Sequence, residues 1–214
     1  MTDMAVCLMD IPDDWNMEFQ TELYSETYDR AITFAKEFPD TLWCYGNHDI
    51  SYLWGKLETG YSPYAESTVI GKLGLLRHTL KDASQMAFVH RIGNVLFSHG
   101  GLSEDFVRSL DMKLLDADVD EVLAAVNNAY RDRLWNDDSP LWLRPQYREV
   151  EPFRKEVYRQ VVGHTPVDRI FEKDNIISTD VFSTYRDGTQ IGESAMVVID
   201  TDSAEYEKIE VKKK

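Results

Sequence analysis

Gly46-Asn47-His48-Asp49 closes an apolar run, Leu42-Trp43-Cys44-Tyr45, and puts three polar side chains where a buried strand should end. These residue types suit hydrolytic chemistry. An amide oxygen can ligate a metal, and an imidazole beside a carboxylate is an acid or base near neutral pH. A capped turn would use the same four residues, so alone the tetrapeptide carries both readings.

Two further histidines repeat the placement. Val95 to Ser98 leads into His99-Gly100-Gly101, and Val161-Val162 leads into Gly163-His164-Thr165-Pro166. A glycine beside each ring permits close backbone approach to whatever the ring faces. Asp10 follows the apolar run Ala5 to Met9, with Asp13 three residues later and Pro12 forcing a turn between them. That pair is in outline a metal-ligand arrangement, and equally a solvated acidic turn. Together Asp10, Asn47, His99 and His164 offer nitrogen and oxygen donors suited to Mn, Fe or Zn. His48, left outside that set and held by Asp49, supplies an acid for a leaving group. Of the remaining histidines, His78 reads as a surface or half-buried residue and His90 as structural. Arg144 stands in a stretch dense in Trp, Asp and Pro; it either clamps an anion bidentately, packs on Trp142, or pairs with Asp137 or Asp138.

The elements that must carry these groups follow from periodicity. Tyr24, Tyr28, Ala31, Ala35 and Phe38 form one helical face stopped by Pro39, between the Asp10 run and the Trp43 run. Strand, helix, strand implies a parallel pair, with both polar clusters at the carboxyl-end edge of its sheet. Tyr52 to Leu57 has helical spacing, Thr68 to Leu80 is either another helix or an irregular cover, and Met86 to Arg91 with Val95 to Ser98 predicts a hairpin through Ile92-Gly93-Asn94. Ser103 to Leu110 is a short helix. Asp118 and Glu121 resemble a capping box opening a helix that runs to about Trp135, and Pro152 to Arg159 is a further short helix. Short, antiparallel-looking strands follow at Ile170-Phe171, Ile176-Ile177, Met196 to Ile199 and Tyr206 to Val211, with Lys212 to Lys214 as a solvated tail. No internal repeat or flexible linker interrupts the chain, which reads as one domain over residues 1–214.

Composition narrows the function classes. Of 214 residues, 43% are hydrophobic, enough for a core, and 38 acidic against 23 basic residues give a formal charge of -15. Such a field repels nucleic-acid backbones, so no nucleic-acid duplex is expected as partner. Cys7 and Cys44 sit inside apolar runs and read as reduced core thiols. No membrane-length apolar run and no basic secretory start are visible, which makes the cytoplasm the expected location.

The ordered trio of GNHD, SHGG and VGHTP resembles the calcineurin-like metallophosphoesterases, in the branch similar to the serine/threonine protein phosphatases and the diadenosine tetraphosphate hydrolases. The resemblance implies an α/β fold, a four-layer α/β/β/α sandwich with mixed sheets. It implies hydrolysis of phosphoesters, with phosphoproteins, nucleotides or phosphomonoesters as substrates, and one or two divalent ions, Mn foremost with Fe or Zn as alternatives. Carried over residue by residue, Asn47, His99 and His164 match metal ligands, Asp10 the bridging carboxylate, and His48 with Asp49 the catalytic pair. Arg144, closing Pro140-Leu141-Trp142-Leu143-Arg144, matches a phosphate-contacting arginine. Two departures lie near the start. The second family motif, Gly-Asp-x-x-Asp-Arg-Gly, reads here Met9-Asp10-Ile11-Pro12-Asp13-Asp14-Trp15, and the opening Asp-x-His is absent. The expected fold therefore lacks its opening strand, and either a second copy of the chain covers the exposed sheet edge, by swapped or dimeric packing, or the chain is poorly soluble. A catalytically impaired member that binds one metal or a phosphorylated ligand is the alternative.

Overall fold

The computed structural model describes residues 4–211. They divide into two compact units, residues 4–87 with Thr184–Gly188, and Phe88–Ser183 with residues 189–211.

In the first unit, β1 (Val6–Cys7), α1 (Thr21–Glu37), β2 (Leu42–Cys44), α2 (Asn47–Trp54), α3 (Glu66–Thr79) and β3 (Met86–Ala87) follow in order. The strands form a three-stranded parallel sheet in the order β1-β2-β3, with Cys7 opposite Trp43 and Cys44 opposite Ala87. Parallel pairing needs a crossover, and α1 supplies the first. The buried stripe of α1 is Tyr24, Tyr28, Ile32 and Ala35, so the helix turns slightly from the expected face. Phe38 caps the helix, 53% exposed and resting on Phe34 at 4.8 Å. Val69, Leu73 and Leu76 bury the facing stripe of α3, which packs on α1.

In the second unit come β4 (Val89–Ile92), β5 (Val95–Ser98), α4 (Glu104–Leu110), α5 (Val119–Asn127), α6 (Arg131–Leu134), β6 (Arg159–Val162), β7 (Phe171–Lys173), β8 (Ile176–Ser178), β9 (Ala195–Ile199) and β10 (Tyr206–Glu210). A five-stranded mixed sheet has the order β4-β5-β6-β8-β7, parallel through β5, β6 and β8 and antiparallel at both edges. A separate antiparallel ribbon joins β9 and β10. Leu96, Leu102, Leu134, Leu141, Leu143, Phe153 and Ile176 are the largest fully buried side chains of this second unit. A three-stranded and a five-stranded sheet with attendant helices make a mixed α/β architecture, consistent with the expected class.

Three expectations change. The run Met86 to Arg91 is split: Met86–Ala87 joins β2, whereas Val89–Ile92 pairs with β5, so the hairpin is β4-β5 alone. The Asn127 side chain marks the break, accepting from the backbone N–H groups of Phe88 and Val89. The helix opened by Asp118, whose carboxylate accepts from the Asp120 N–H, ends at Asn127, and α6 is separate. Residues 152–158 are not helical; Arg154 takes φ +45° and its guanidinium reaches the carbonyls of Leu115 and Ala117. The tail Lys212 to Lys214 lies outside the described residues.

Candidate functional site

The first unit assembles one group of polar residues at the carboxyl ends of β1 and β2. Asp10 adopts φ +69° after Met9 at +42°, a left-handed pair that turns the chain sharply at the end of β1. Gly46 makes the approach possible, because a Cβ there would lie 2.6 Å from the Asp10 backbone nitrogen and on its carboxylate. Asn47, His48 and Asp49 are then the first turn of α2 rather than a loop. The His48 N–H donates to Asp10 Oδ1 at 3.0 Å, so that carboxylate sits at the positive end of the helix. Asn47 is 1% exposed.

Asp49, fully buried, accepts from the Asp10 N–H at 2.8 Å, the Ile11 N–H at 3.3 Å and the Tyr28 hydroxyl at 2.8 Å. It fixes the turn that carries Asp10. Burial, and then the Asp49 charge, push the Tyr28 pKa well up, so the phenol stays a donor.

The carboxylate hydrogen bonded to the His48 ring is Asp13, whose Oδ2 lies 2.8 Å from Nδ1. Asp13 is also in the left-handed region, at φ +70°. Its side chain is 2% exposed against 26% for His48. Burial is the largest single influence on His48 and lowers its pKa. The Asp13 hydrogen bond, with the charges of Asp10, Asp13 and Asp49, outweighs it and lifts the imidazole to about 9. Asp13 was legible only as a second acidic residue in the turn, and Tyr28 and Tyr52 only as members of apolar stripes.

Asp14 and Trp15, at the positions of the family motif's Arg and Gly, face a different task. Asp14 Oδ1 accepts from the Trp15 N–H and the Thr184 hydroxyl, the Trp15 indole N–H donates to the Thr184 carbonyl, and Arg186 lies 5.0 Å over the Trp15 ring.

The second unit brings together the other two histidines. His99 follows β5 and His164 follows β6, parallel neighbours, and their rings meet with His99 Nε2 3.0 Å from His164 Nδ1. Both are buried, at 1% and 7% exposure. The Gly163 N–H donates to the His99 carbonyl at 2.9 Å, and His164 itself takes φ +59°. The backbone around His99 is close-packed: Gly100 N–H donates to the Pro140 carbonyl at 2.6 Å, and a Cβ at Gly100 would lie 2.8 Å from Leu143 N. Gln160, buried on β6, exchanges both amide hydrogen bonds with the Leu102 backbone.

The Arg144 guanidinium donates to the His164 carbonyl and to Thr165 Oγ1, both at 3.3 Å, and Arg148 takes the Asp137 carbonyl and the Asp138 carboxylate. The Trp142 ring stands edge-on to His164 at 5.5 Å.

The donor chemistry fits a divalent ion in both groups: a carboxylate and a buried amide in the first, two buried imidazoles in the second. A family model, calcineurin-like phosphoesterase, matches residues 2–182. The chain belongs to the calcineurin-like phosphoesterases. Its fold is similar to that of cold-active protein tyrosine phosphatases. One such structure aligns at TM-score 0.55 with 18% identity over 96% of this chain and 67% of the other. Another, from a psychrophilic Shewanella species, aligns at 0.55 with 19% identity over 96% and 69%. No curated protein sequence matches the chain. Among the described residues no helix is long and apolar enough to cross a membrane.

Proposed function

We propose that the chain is a metal-dependent phosphoester hydrolase in which Asp10, Asn47, His99 and His164 serve as ligands to one or two divalent cations and His48 is the general acid. The observation that carries this reading is the His48–Asp13 pair, an imidazole hydrogen bonded to a buried carboxylate with Asp10 and Asn47 beside it. When bound, the ion would polarise the phosphoryl oxygens and lower the pKa of a water nucleophile. His48 gives up its proton to the leaving oxygen, and Asp13 stabilises the imidazolium before transfer. Asp49 keeps Asp10 in place through two backbone N–H groups, which makes it a positioning residue in this scheme. Arg144, anchored on His164 and Thr165, is the candidate for contact with a phosphate oxygen. Mn is the first ion to test, with Fe and Zn next, since N/O donors accept all three.

Phosphoproteins, nucleotides and small phosphomonoesters are the substrate classes in this reading. A second copy of the chain over the three-stranded sheet and a cytoplasmic location belong to it too. One observation favours the alternative of a phosphate-binding member with little turnover: Asp14 and Trp15 occupy the positions of the motif's Arg and Gly, and their side chains are committed to Thr184 and Arg186.

Turnover of p-nitrophenyl phosphate by Mn-loaded wild type, compared with His99→Ala and His48→Asn, separates the two readings. Hydrolysis lost in both variants supports the hydrolase. Calorimetric binding of phosphate with no turnover in excess Mn supports the binding member, and turnover unchanged by either substitution sinks both.

A further inference from the structure

Tyr52 is used nowhere in the chemistry above, yet its hydroxyl sits at the centre of the contacts behind His48. It lies on α2 and is 1% exposed. The hydroxyl donates to Asp13 Oδ1 at 2.5 Å and accepts from the Ser62 N–H at 2.8 Å. The other Asp13 oxygen, Oδ2, faces His48 Nδ1. Each oxygen of one carboxylate therefore has its own partner, the phenol on one side and the imidazole on the other.

The connection continues outward. Ser62 Oγ donates to the Glu18 carbonyl, joining the segment after α2 to the segment that carries Asp13. Gly60, at φ +91°, brings the same segment so near that a Cβ would stand 3.2 Å from Asp13 Cβ and 4.0 Å from His48 Cε1. The Tyr61 ring stacks on Tyr52 at 4.3 Å and 17°. A tyrosine serving only as core filler would need some partner for its hydroxyl, but not the carboxylate that holds the His48 ring.

A carboxylate on a turn rotates about χ2 through a broad, two-fold well. A phenol donor on one oxygen removes that freedom and aims the other oxygen at the imidazole, as outer hydrogen bonds do for histidines at metal centres. We propose that Tyr52 is a positioning residue. Its hydroxyl sets the Asp13 carboxylate in the orientation that aligns His48 to protonate the leaving group, and the Ser62 N–H makes that hold depend on the docking of residues 55–65. Burial first, and then the Asp13 hydrogen bond, keep this phenol protonated and donating.

The inference rests on His48 being the acid, and the experiment tests the two separately. Wild type, Tyr52→Phe, His48→Asn and the double variant are assayed on phenyl phosphate, whose leaving group needs a proton, and on 2,4-dinitrophenyl phosphate, whose leaving group does not. Tyr52→Phe should lower kcat on phenyl phosphate by about 10-fold and on the dinitrophenyl ester by less than about twofold. The double variant should be no slower than His48→Asn. Equal losses on both esters, or losses that multiply in the double variant, overturn the positioning role. If His48→Asn itself fails to discriminate the esters, the acid assignment falls. The contact is then read by imidazole 15N NMR on the metal-free protein, where a His48 Nδ1 signal unchanged by Tyr52→Phe overturns the positioning of His48 through Asp13 and a shifted or broadened one upholds that positioning without the proton transfer. Should Tyr52→Phe not fold, 3-fluorotyrosine introduced at position 52 keeps the packing and alters only the donor strength. The ratio of the two esters must then move, and an unmoved ratio overturns the inference.

Discussion

Asp13 Oδ2 lies 2.8 Å from His48 Nδ1, across 35 residues of sequence, while Asp49, the immediate neighbour of His48, turns to the backbone of Asp10 and Ile11. Adjacent residues in a first helical turn point in different directions. Two carboxylates beside one histidine thus divide two tasks, one facing the ring and the other the turn.

Asp13→Asn should therefore lower kcat on phenyl phosphate by roughly 10²-fold, the scale of a general acid deprived of its partner. The bound metal per chain should not change, because Asp13 is outside the proposed ligand set. An Asp13→Asn enzyme with wild-type kcat would leave the ion pair without a catalytic role.

His99→Ala and His164→Ala remove imidazoles whose nitrogens meet at 3.0 Å. Each should lower the Mn content, measured by plasma mass spectrometry after removal of free ion, by about one per chain. Chelation of the wild type should abolish turnover, and added Mn should restore it. Unaltered metal content in both variants would place the ion elsewhere.

Gly46→Ala puts a methyl group onto the Asp10 carboxylate and 2.6 Å from its backbone nitrogen. Backbone cannot yield as a flexible side chain can, so the expected cost is about 1–3 kcal/mol in urea unfolding. Gly55→Ala is the control: nothing lies within 4 Å of its Cβ, although its φ of +63° leaves a conformational cost. Equal effects at the two positions would mean that crowding at Asp10 is not the cause.

The Cys7 thiol is pushed up to about 12 by burial. A raised pKa depletes the thiolate at every pH below it, so at pH 8 roughly one Cys7 in 10⁴ is reactive, against about one in four at an ordinary pKa. Iodoacetamide should modify Cys7 quickly only after denaturation. Rapid labelling of the folded chain at pH 8, mapped to Cys7, would contradict the packing of β1 against β2.

The three strand-end histidines could be read from sequence because an apolar run followed by glycine and a polar side chain is a local signal. His48, His99 and His164 needed no knowledge of distant residues to be singled out. Asp13 did, since its pairing depends on left-handed turns at Asp10 and Asp13 that fold residues 10–13 back toward α2. The stripe of α1 was legible, yet the hydroxyl of Tyr28 and its carboxylate partner were not, because periodicity says which face is buried and nothing about a polar tip. The break after Ala87 was hidden for a similar reason. Met86 to Arg91 is continuous in strand propensity, and only the Asn127 side chain, 38 to 39 residues away, divides it. Arg144 and Arg148 are alike by composition, and tertiary geometry alone sends the second to Asp138.

The clasp between Asp14-Trp15 and Thr184-Arg186 bears on any attempt to engineer the chain toward its family pattern. Writing Arg at 14 and Gly at 15 would return a guanidinium beside Asp13. The same change would delete the carboxylate that holds Thr184, the indole that bonds its carbonyl and the ring beneath Arg186. Back-substitution at these two positions is therefore not a restoration but an exchange, and the segment around residue 184 would have to be redesigned with it.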